Sequence, residues 1–528
     1  MPERRLYADP EGVFLHDAVL ASCGRHPQRT AIVDYSSVSA KGEPKRIGYA
    51  EYGDLIERAA RGLVAAGVAP GEVIAIYLSN AWEYSVIYHA ATLAGALPTL
   101  LNPSYREREV RYQLEASGAV ALVADGPHLA NISLAGLAAL RTVYCTRTVA
   151  PGCADFKELL AAHASVLPKP TAGSKQTLAA LPFSSGTTGL PKGVMLSHFN
   201  LVANAYQTIR PGERAGFYED EKLLCFLPLY HIYGLNVLHN PILLIGGTLV
   251  FMPRFDAQQV CQIVARENIT YLPLVPPAMN ALCHAAEQGI LPKMHAVRAV
   301  KSGAAPLAPE LPRKFTSLTG IPVAQGYGMT EASPVTHLGF IEPELYCPES
   351  IGQLAVQTEC KLIGLSGNEV VGREDGELIM RGPQFMQGYW KSPEATREVL
   401  RDGWYWSGDI GRRDERGFFF IVDRRKELIK FKGFAVAPAE IEAVLLEHPA
   451  VRDAGIVGKA DDDCGEIPVA FVVMRNGQSG SAKLATELSG YVAERLAPYK
   501  QPREVRFVES IPRNPSGKIL RRELRASL

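Results

Sequence analysis

Short apolar segments alternating with helix-patterned ones constrain this chain more than any other feature. Between about residues 50 and 125, strand candidates at 73–78 and 120–124 are bounded by Gly, Pro or Asn and separated by helical periodicity. The alternation resumes over residues 223–300, with strand candidates at 224–227, 248–252 and 271–275. Such a rhythm builds layered α/β structure. At 528 residues the chain exceeds the size at which one core keeps growing, so at least two domains are expected.

The texture changes near residue 410. Residues 417–422 (Gly-Phe-Phe-Phe-Ile-Val) read as a hairpin strand and run into a charged stretch at 423–427 (Asp-Arg-Arg-Lys-Glu). The interdomain hinge is placed there, giving a large domain over 1–425 and a small one over 426–528. Within the small domain, Pro438 opens a predicted helix with Ile441, Val444 and Leu445 on one face. Residues 468–474 then read as a strand and 483–496 as a second helix, which together make an α+β lobe of roughly 100 residues, an ordinary domain size. The Pro/Ser/Gly-rich patch at 167–175 reads as a loop.

Lys plus Arg and Asp plus Glu both number 55, so formal net charge is zero. No run of five like charges occurs, and neither nucleic acid nor an anionic membrane is suggested as a partner. Small molecules are. The nine cysteines are scattered without a Cys-x-x-Cys pair, which fits reduced thiols and a cytoplasmic protein. The most apolar stretch, 238–252, is broken by Asn240, Pro241 and two glycines, so no membrane span is expected. The first residues lack an apolar signal core, and Ala526-Ser527-Leu528 lacks the basic residue of a peroxisomal address. Nothing in the sequence sets an oligomeric state.

The most informative segment is 181–193, Leu-Pro-Phe-Ser-Ser-Gly-Thr-Thr-Gly-Leu-Pro-Lys-Gly. Gly186, Gly189 and Gly193 permit close backbone approach, Ser184, Ser185, Thr187 and Thr188 offer hydroxyl donors, and Lys192 supplies positive charge. This reads as a cradle for a polyphosphate. It is not a Walker loop, because Lys192 is neither preceded by Gly nor followed by Ser or Thr. Taken alone, such a run also reads as a solvent loop.

Further segments follow in order: Tyr-His-Ile-Tyr-Gly at 230–234, Tyr-Gly-Met-Thr-Glu at 327–331, Tyr-Trp-Ser-Gly-Asp at 405–409, the charged stretch at 423–427 with Lys-Gly-Phe at 432–434, and Pro-Ser-Gly-Lys at 515–518. Together with the phosphate-loop segment they resemble the acyl-adenylate-forming superfamily, which includes acyl- and aryl-CoA synthetases, peptide adenylation domains and luciferases. Ser-Gly-Ala-Ala-Pro at 302–306, Gln325 before the 326–331 segment, and Lys-Glu-Leu-Ile-Lys at 426–430 look most like 4-coumarate:CoA ligase and related benzoate and anthranilate ligases. The resemblance implies a layered α/β large domain with a β-barrel-like subdomain and a small mobile domain.

It also implies an ATP-dependent acid:CoA ligase that forms an acyl-adenylate, with ATP, Mg²⁺ and CoA as partners of a small carboxylic acid. By resemblance, ATP or AMP contacts fall on Ser184, Ser185, Gly186, Thr187, Thr188, Gly189, Lys192, Gly303, Ala304, Ala305, Gln325, Gly326, Tyr327, Gly328, Met329 and Thr330. Tyr327 would cover adenine and Thr330 donate to a phosphate, while Glu331 would hold magnesium through oxygen. Asp409 and Arg424 would take the ribose. Lys518, His231, Thr188 and Glu331 are the implied catalytic set, since a carboxylate attacking an α-phosphate must have its charge offset.

The small lobe would turn at Lys426 and present Lys432, Gly433 and Phe434 to CoA. Ala435 stands where plant-type relatives carry glutamine, and Ser407 where threonine is common. Substrate contacts are implied for His231, Tyr233, Ser302, Gly303, Ala304, Gly326, Pro334, Val335 and His337, a set that suits a flat aryl acid such as a benzoate, anthranilate or cinnamate. His337 is expected to meet an ortho substituent or the carboxylate. A fatty acid is the competing substrate. A luciferase-type oxygenase and a nucleotide-binding regulator without turnover share the framework. An amino acid is disfavoured, because the segment after His231 has no aspartate to meet an ammonium group.

Overall fold

The computed structural model describes residues 11–162, 166–184, 190–209, 216–291, 294–305, 307, 309–364, 366–370, 372, 374–425, 427–431, 434–461, 464–475, 480–513 and 517–528. Four sheets organise it. The first has nine strands in the order Gln353–Leu354, Val335–Leu338, Val323–Gly328, Ala299–Ser302, Tyr271–Leu274, Lys222–Cys225, Thr248–Phe251, Thr30–Val38 and Pro44–Gly48. Its six central strands run parallel. The second has eight, from Gly388–Tyr389 through Lys192–Ser197, Leu178–Ser184, Leu97–Leu100, Val73–Tyr77, Ala121–Asp125 and Thr142–Thr146 to Ala154–Asp155.

Parallel strands covered by helices on both faces must be apolar throughout. Val73–Tyr77 is accordingly buried at all five positions. The broken apolar stretch at 238–252 divides into a π-helical turn, Gly234–His239, a helix, Asn240–Ile245, and the strand Thr248–Phe251. Gly246 at φ 81° makes the turn between helix and strand. Among the described residues no helix is long and apolar enough to cross a membrane.

A third, antiparallel sheet is built on Glu359–Ile363, Gly376–Arg381, Trp404–Arg413 and Phe419–Arg424, in the part of the large domain that precedes the small one. Every strand of the fourth sheet lies beyond residue 428, with Gly465–Met474 at its centre and the long Val451–Asp461 paired along it at the edge. Helices Pro438–Glu447 and Ala482–Ala493 pack on it, the first through Ile441, Val444 and Leu445 as their spacing predicts. The large domain and the smaller one are therefore separately cored. The hairpin strand expected at 417–422 begins two residues later, because Gly417 at φ 83° is spent on the turn.

Candidate active site

The carboxyl ends of the large-domain strands Leu178–Ser184, Ala299–Ser302 and Val323–Gly328 open on one cleft of about 1370 Å³. Crevices at the carboxyl ends of α/β strands are where such sheets bind ligands. The third sheet contributes Ser407, Gly408, Asp409 and Arg424, and the small lobe closes the cleft with Lys430, Glu466 and Lys518.

Glu331 is 6% exposed and sits on a short 3₁₀ turn after the strand Val323–Gly328. Its Oε1 accepts from the Ser184 hydroxyl at 2.9 Å and from the Tyr389 hydroxyl at 2.8 Å. A buried carboxylate must be satisfied in this way. Among the described residues no group of three or more His, Cys, Asp and Glu side chains gathers to hold a metal. One oxygen-bearing side chain is nevertheless what Mg²⁺ needs when substrate phosphates supply the remaining ligands, so Glu331 fits that ion.

Asp409 is 7% exposed. Its Oδ1 lies 3.1 Å from Arg424 Nε, and its Oδ2 accepts from the Tyr327 hydroxyl. Ser407 positions it: the Ser407 hydroxyl accepts from Asp409 N–H at 3.0 Å and donates to the Leu378 carbonyl at 2.7 Å. A serine suffices here because both bonds use the oxygen that threonine would also offer. Beside them, buried Glu377 accepts from Gly408 N–H at 3.1 Å and pairs with Arg425 Nη1 at 2.6 Å.

Lys518 enters from the small lobe on a turn whose Gly517 has φ 86°, and a Cβ at Gly517 would stand 3.1 Å from the Pro277 ring of the large domain. Glycine thus lets the two lobes meet. Burial, reinforced by repulsion from Arg424, lowers the Lys518 ammonium to about 8, against the pull of Glu427 and Asp409. Three residues on, Arg521 donates to Glu427 at 2.7 Å and to both oxygens of Glu442 at 2.6 and 3.1 Å. That buried fork ties the lysine-bearing loop to the small lobe's first helix.

At the other end of the cleft, burial pushes the His231 imidazole down to about 4. It is neutral, and because Nδ1 accepts from Tyr233 N–H at 3.2 Å, its proton is on Nε2. The Tyr233 hydroxyl donates to the Lys301 carbonyl at 3.3 Å, and a Cβ at Gly303 would stand 3.5 Å from the Tyr233 ring. Gly303, Ala304 and Gly326 bring only small residues to the cleft, and Val237, Val275, Pro334 and Val335 line it with apolar groups. Ser302, 2% exposed, lines it with a hydroxyl that has no partner among the described residues.

Most of the described candidates therefore converge: Ser184, His231, Tyr233, Ser302, Gly303, Ala304, Gly326, Tyr327, Gly328, Met329, Thr330, Glu331, Pro334, Val335, Asp409, Arg424 and Lys518 all line the cleft. Four do not. His337 is fully buried, its ring packed against Tyr327 and Phe419 at 5.6 and 4.6 Å, so it cannot meet the acid as expected. Gln325 donates to the Pro348 carbonyl at 2.5 Å, away from the cleft, and Ala305 lies beside the Gly517 turn. Lys192 is not among the lining residues, its ammonium lying 5.8 Å from the ring of Tyr389, which is. Ser185, Gly186, Thr187, Thr188, Gly189, Lys426, Lys432, Gly433 and the side chain of Phe434 lie outside the described residues.

Sequence reasoning missed Tyr389, Glu377, Arg425, Lys430 and Lys301, all of which line the cleft. Glu377 and Lys301 carried a usable signal: each is a charge inside an otherwise apolar strand pattern, Gly376–Arg381 and Ala299–Ser302. Tyr389 carried none, since its contact with Glu331 spans 58 residues of chain.

A two-lobed α/β protein that gathers a phosphate-loop strand, a held carboxylate, an Asp–Arg pair and an inserted lysine around one cleft is built as a nucleotide-using enzyme. The family model described as AMP-binding enzyme matches residues 19–390, and the one described as AMP-binding enzyme C-terminal domain matches residues 440–518. The chain belongs to the AMP-binding enzyme family. It is 40% identical over 531 residues to 4-coumarate–CoA ligase 5 of Oryza sativa subsp. japonica, covering 99% of this chain and 96% of the rice protein. Among solved structures it is similar to a benzoate CoA ligase from Burkholderia xenovorans LB400, at TM-score 0.85 and 26% identity over 97% of this chain and 100% of that one. The anthranilate CoA ligase AuaEII in complex with anthranoyl-AMP shares the fold, at TM-score 0.89 and 22% identity over 99% of this chain and 98% of that one.

Proposed function

We propose that this protein is an AMP-forming acid:CoA ligase that activates an aryl or cinnamic acid. The observation that carries the reading is the single cleft that Lys518, the Asp409–Arg424 pair and Glu331 line together with Tyr233, Gly303 and His231. The acid's carboxylate attacks the α-phosphorus of ATP, pyrophosphate leaves, and the acyl-adenylate then yields its acyl group to the CoA thiol with release of AMP. Two unit charges 4 Å apart repel by about 4 kcal/mol at an effective dielectric near 20. Lys518 offsets that repulsion, Asp409 and Arg424 hold the ribose, and His231 Nε2–H orients the incoming carboxylate. Thr188 and the 184–189 loop serve the phosphates. Glu331 would hold magnesium, which neutralises phosphate charge when bound.

For the second step the small lobe turns at Lys426, the boundary between domains 1–425 and 426–528, and brings Lys432, Gly433 and Phe434 to CoA. None of the nine cysteines is in a disulfide, which supports a cytoplasmic setting. The test is pyrophosphate exchange with 4-coumarate, benzoate, anthranilate and palmitate, followed by mass detection of the CoA thioester. Exchange and thioester with the aryl acids are expected; turnover of palmitate alone would sink the aryl reading.

A further inference from the structure

The acid end of the cleft is lined in part by a segment whose backbone is held by residues outside the lining. Pro334 and Val335 line the cleft, yet the segment they belong to is irregular. Ser333 before them has φ 66°, a left-handed conformation that a serine keeps only when its surroundings enforce it. Beside them the pairing of Val335–Leu338 with Val323–Gly328 shifts register between Tyr327 and Gly328, where a ladder specifies position least. Gly328 follows the same logic, since a Cβ there would lie 2.0 Å from the Pro334 carbonyl oxygen.

Two fully buried asparagines take up this segment. Asn204, on the helix His198–Ile209, accepts from Val335 N–H at 3.0 Å through Oδ1 and donates to the Val335 carbonyl at 2.8 Å through Nδ2. The same Nδ2 donates to Gln207 Oε1 at 2.8 Å, which fixes the amide's orientation. Asn236, one turn beyond Tyr233, donates to the Ser333 carbonyl at 2.6 Å and the Leu201 carbonyl at 3.1 Å. Its own Oδ1 accepts from Asn240 at 2.8 Å. The backbone groups that each amide meets cannot exchange roles, so they set which end donates and which accepts.

We propose that Asn204 is a specificity-positioning residue: by gripping both backbone groups of Val335 it sets the distance between the Pro334–Val335 wall and the Tyr233 ring, and so the thickness of acid admitted. This rests on the acid-activating reading above. Asn204 does not itself line the cleft and reaches it only through Val335. Buried amides that satisfy backbone groups are common, but this one holds a residue that lines the cleft. A wall displaced by a fraction of an ångström changes which acids reach the reactive geometry, and such misplacement reaches about 100-fold in rate when it approaches 1 Å.

The test compares wild type, Asn204→Ser and Asn204→Ala by pyrophosphate exchange over a panel graded in thickness and length: benzoate, anthranilate, 4-coumarate and hexanoate. The expected result is a rise of about tenfold in KM for the preferred acid, a changed ranking across the panel, and a KM for ATP within about twofold of wild type. Asn204→Ser, which keeps a hydroxyl for one of the two bonds, should fall between the others. An unchanged ranking, or equal loss against every acid and ATP, would overturn the proposal, and circular dichroism at the assay temperature separates unfolding from either. If wild type activated only hexanoate, the aryl reading would fail alone, because the Asn204 variants are then compared on straight-chain and branched aliphatic acids, which differ in thickness.

Discussion

The two ends of the cleft are stabilised in opposite ways. At the nucleotide end, charged side chains hold one another: Asp409 pairs with Arg424 and Tyr327, Glu377 with Arg425, and Glu331 accepts from Ser184 and Tyr389. At the acid end neutral groups line the surface, namely His231, the Ser302 hydroxyl, glycines and apolar side chains, and the Asn204 amide that holds Val335 lies outside the lining. The first arrangement suits a constant ligand whose charges must always be met. The second suits a variable ligand, because small shifts in wall position alter fit without leaving a charge unpaired.

If the nucleotide end is electrostatic machinery, removing its inserted charge should give the largest loss. Lys518→Ala is expected to lower the rate of pyrophosphate exchange by about 100- to 1,000-fold, the usual loss for one preorganised electrostatic group. Thermal melting should change little by comparison. Exchange that survived within tenfold of wild type would remove Lys518 from the chemistry.

At the acid end the corresponding lesion is steric. Gly303→Val places branches where even a Cβ would stand 3.5 Å from the Tyr233 ring. Loss of about 10- to 100-fold in kcat/KM is expected for 4-coumarate, with less loss for a slimmer aliphatic acid and an ATP KM within about twofold. Equal losses for both acids would mean that the acid does not lie beside Gly303.

How far each end could be read from sequence follows from the same contrast. Charged and hydroxyl residues at the nucleotide end sit in short contiguous segments, so Asp409, Arg424, Glu331 and Lys518 were recognisable before any fold was known. The parallel strands were legible too, because burial on both faces makes a run such as Val73–Tyr77 uniformly apolar. The acid wall was not. A strand turns its side chains to opposite faces in succession, and the register shift beside Val335 breaks that count. Val335 therefore lines the cleft while His337, two residues on, is buried under Tyr327. Asn204 and Tyr389 were illegible for a different reason: their roles lie in contacts 131 and 58 residues away along the chain.

The pH dependence should separate the two ends again. Lys518 is charged below about 8 and loses its proton as pH rises through that value. Pyrophosphate exchange under kcat/KM conditions is expected to fall about tenfold per pH unit above about 8. His231, lowered to about 4, is already neutral across the working range and should contribute no rising limb above about pH 5. Lys518→Arg, whose guanidinium does not titrate there, should flatten the descending limb at reduced rate; a limb that persisted unchanged would assign it to another group.

The smallest effect is expected where the nucleotide end is already occupied by its own protein. The Tyr327 hydroxyl donates to Asp409 Oδ2, the carboxylate proposed to receive ribose. A carboxylate has about four lone-pair sites, so the phenol and two ribose hydroxyls can be accepted together, with Arg424 on Oδ1. Under that geometry Tyr327→Phe removes one donor from a charged group in both the free and the ATP-bound enzyme. The loss largely cancels, leaving a rise in ATP KM of about two- to tenfold, where tenfold corresponds to 1.4 kcal/mol. The acid KM should stay constant. A fall in ATP KM would show instead that the phenol competes with ribose and that Asp409 must be released by Tyr327 before nucleotide binds.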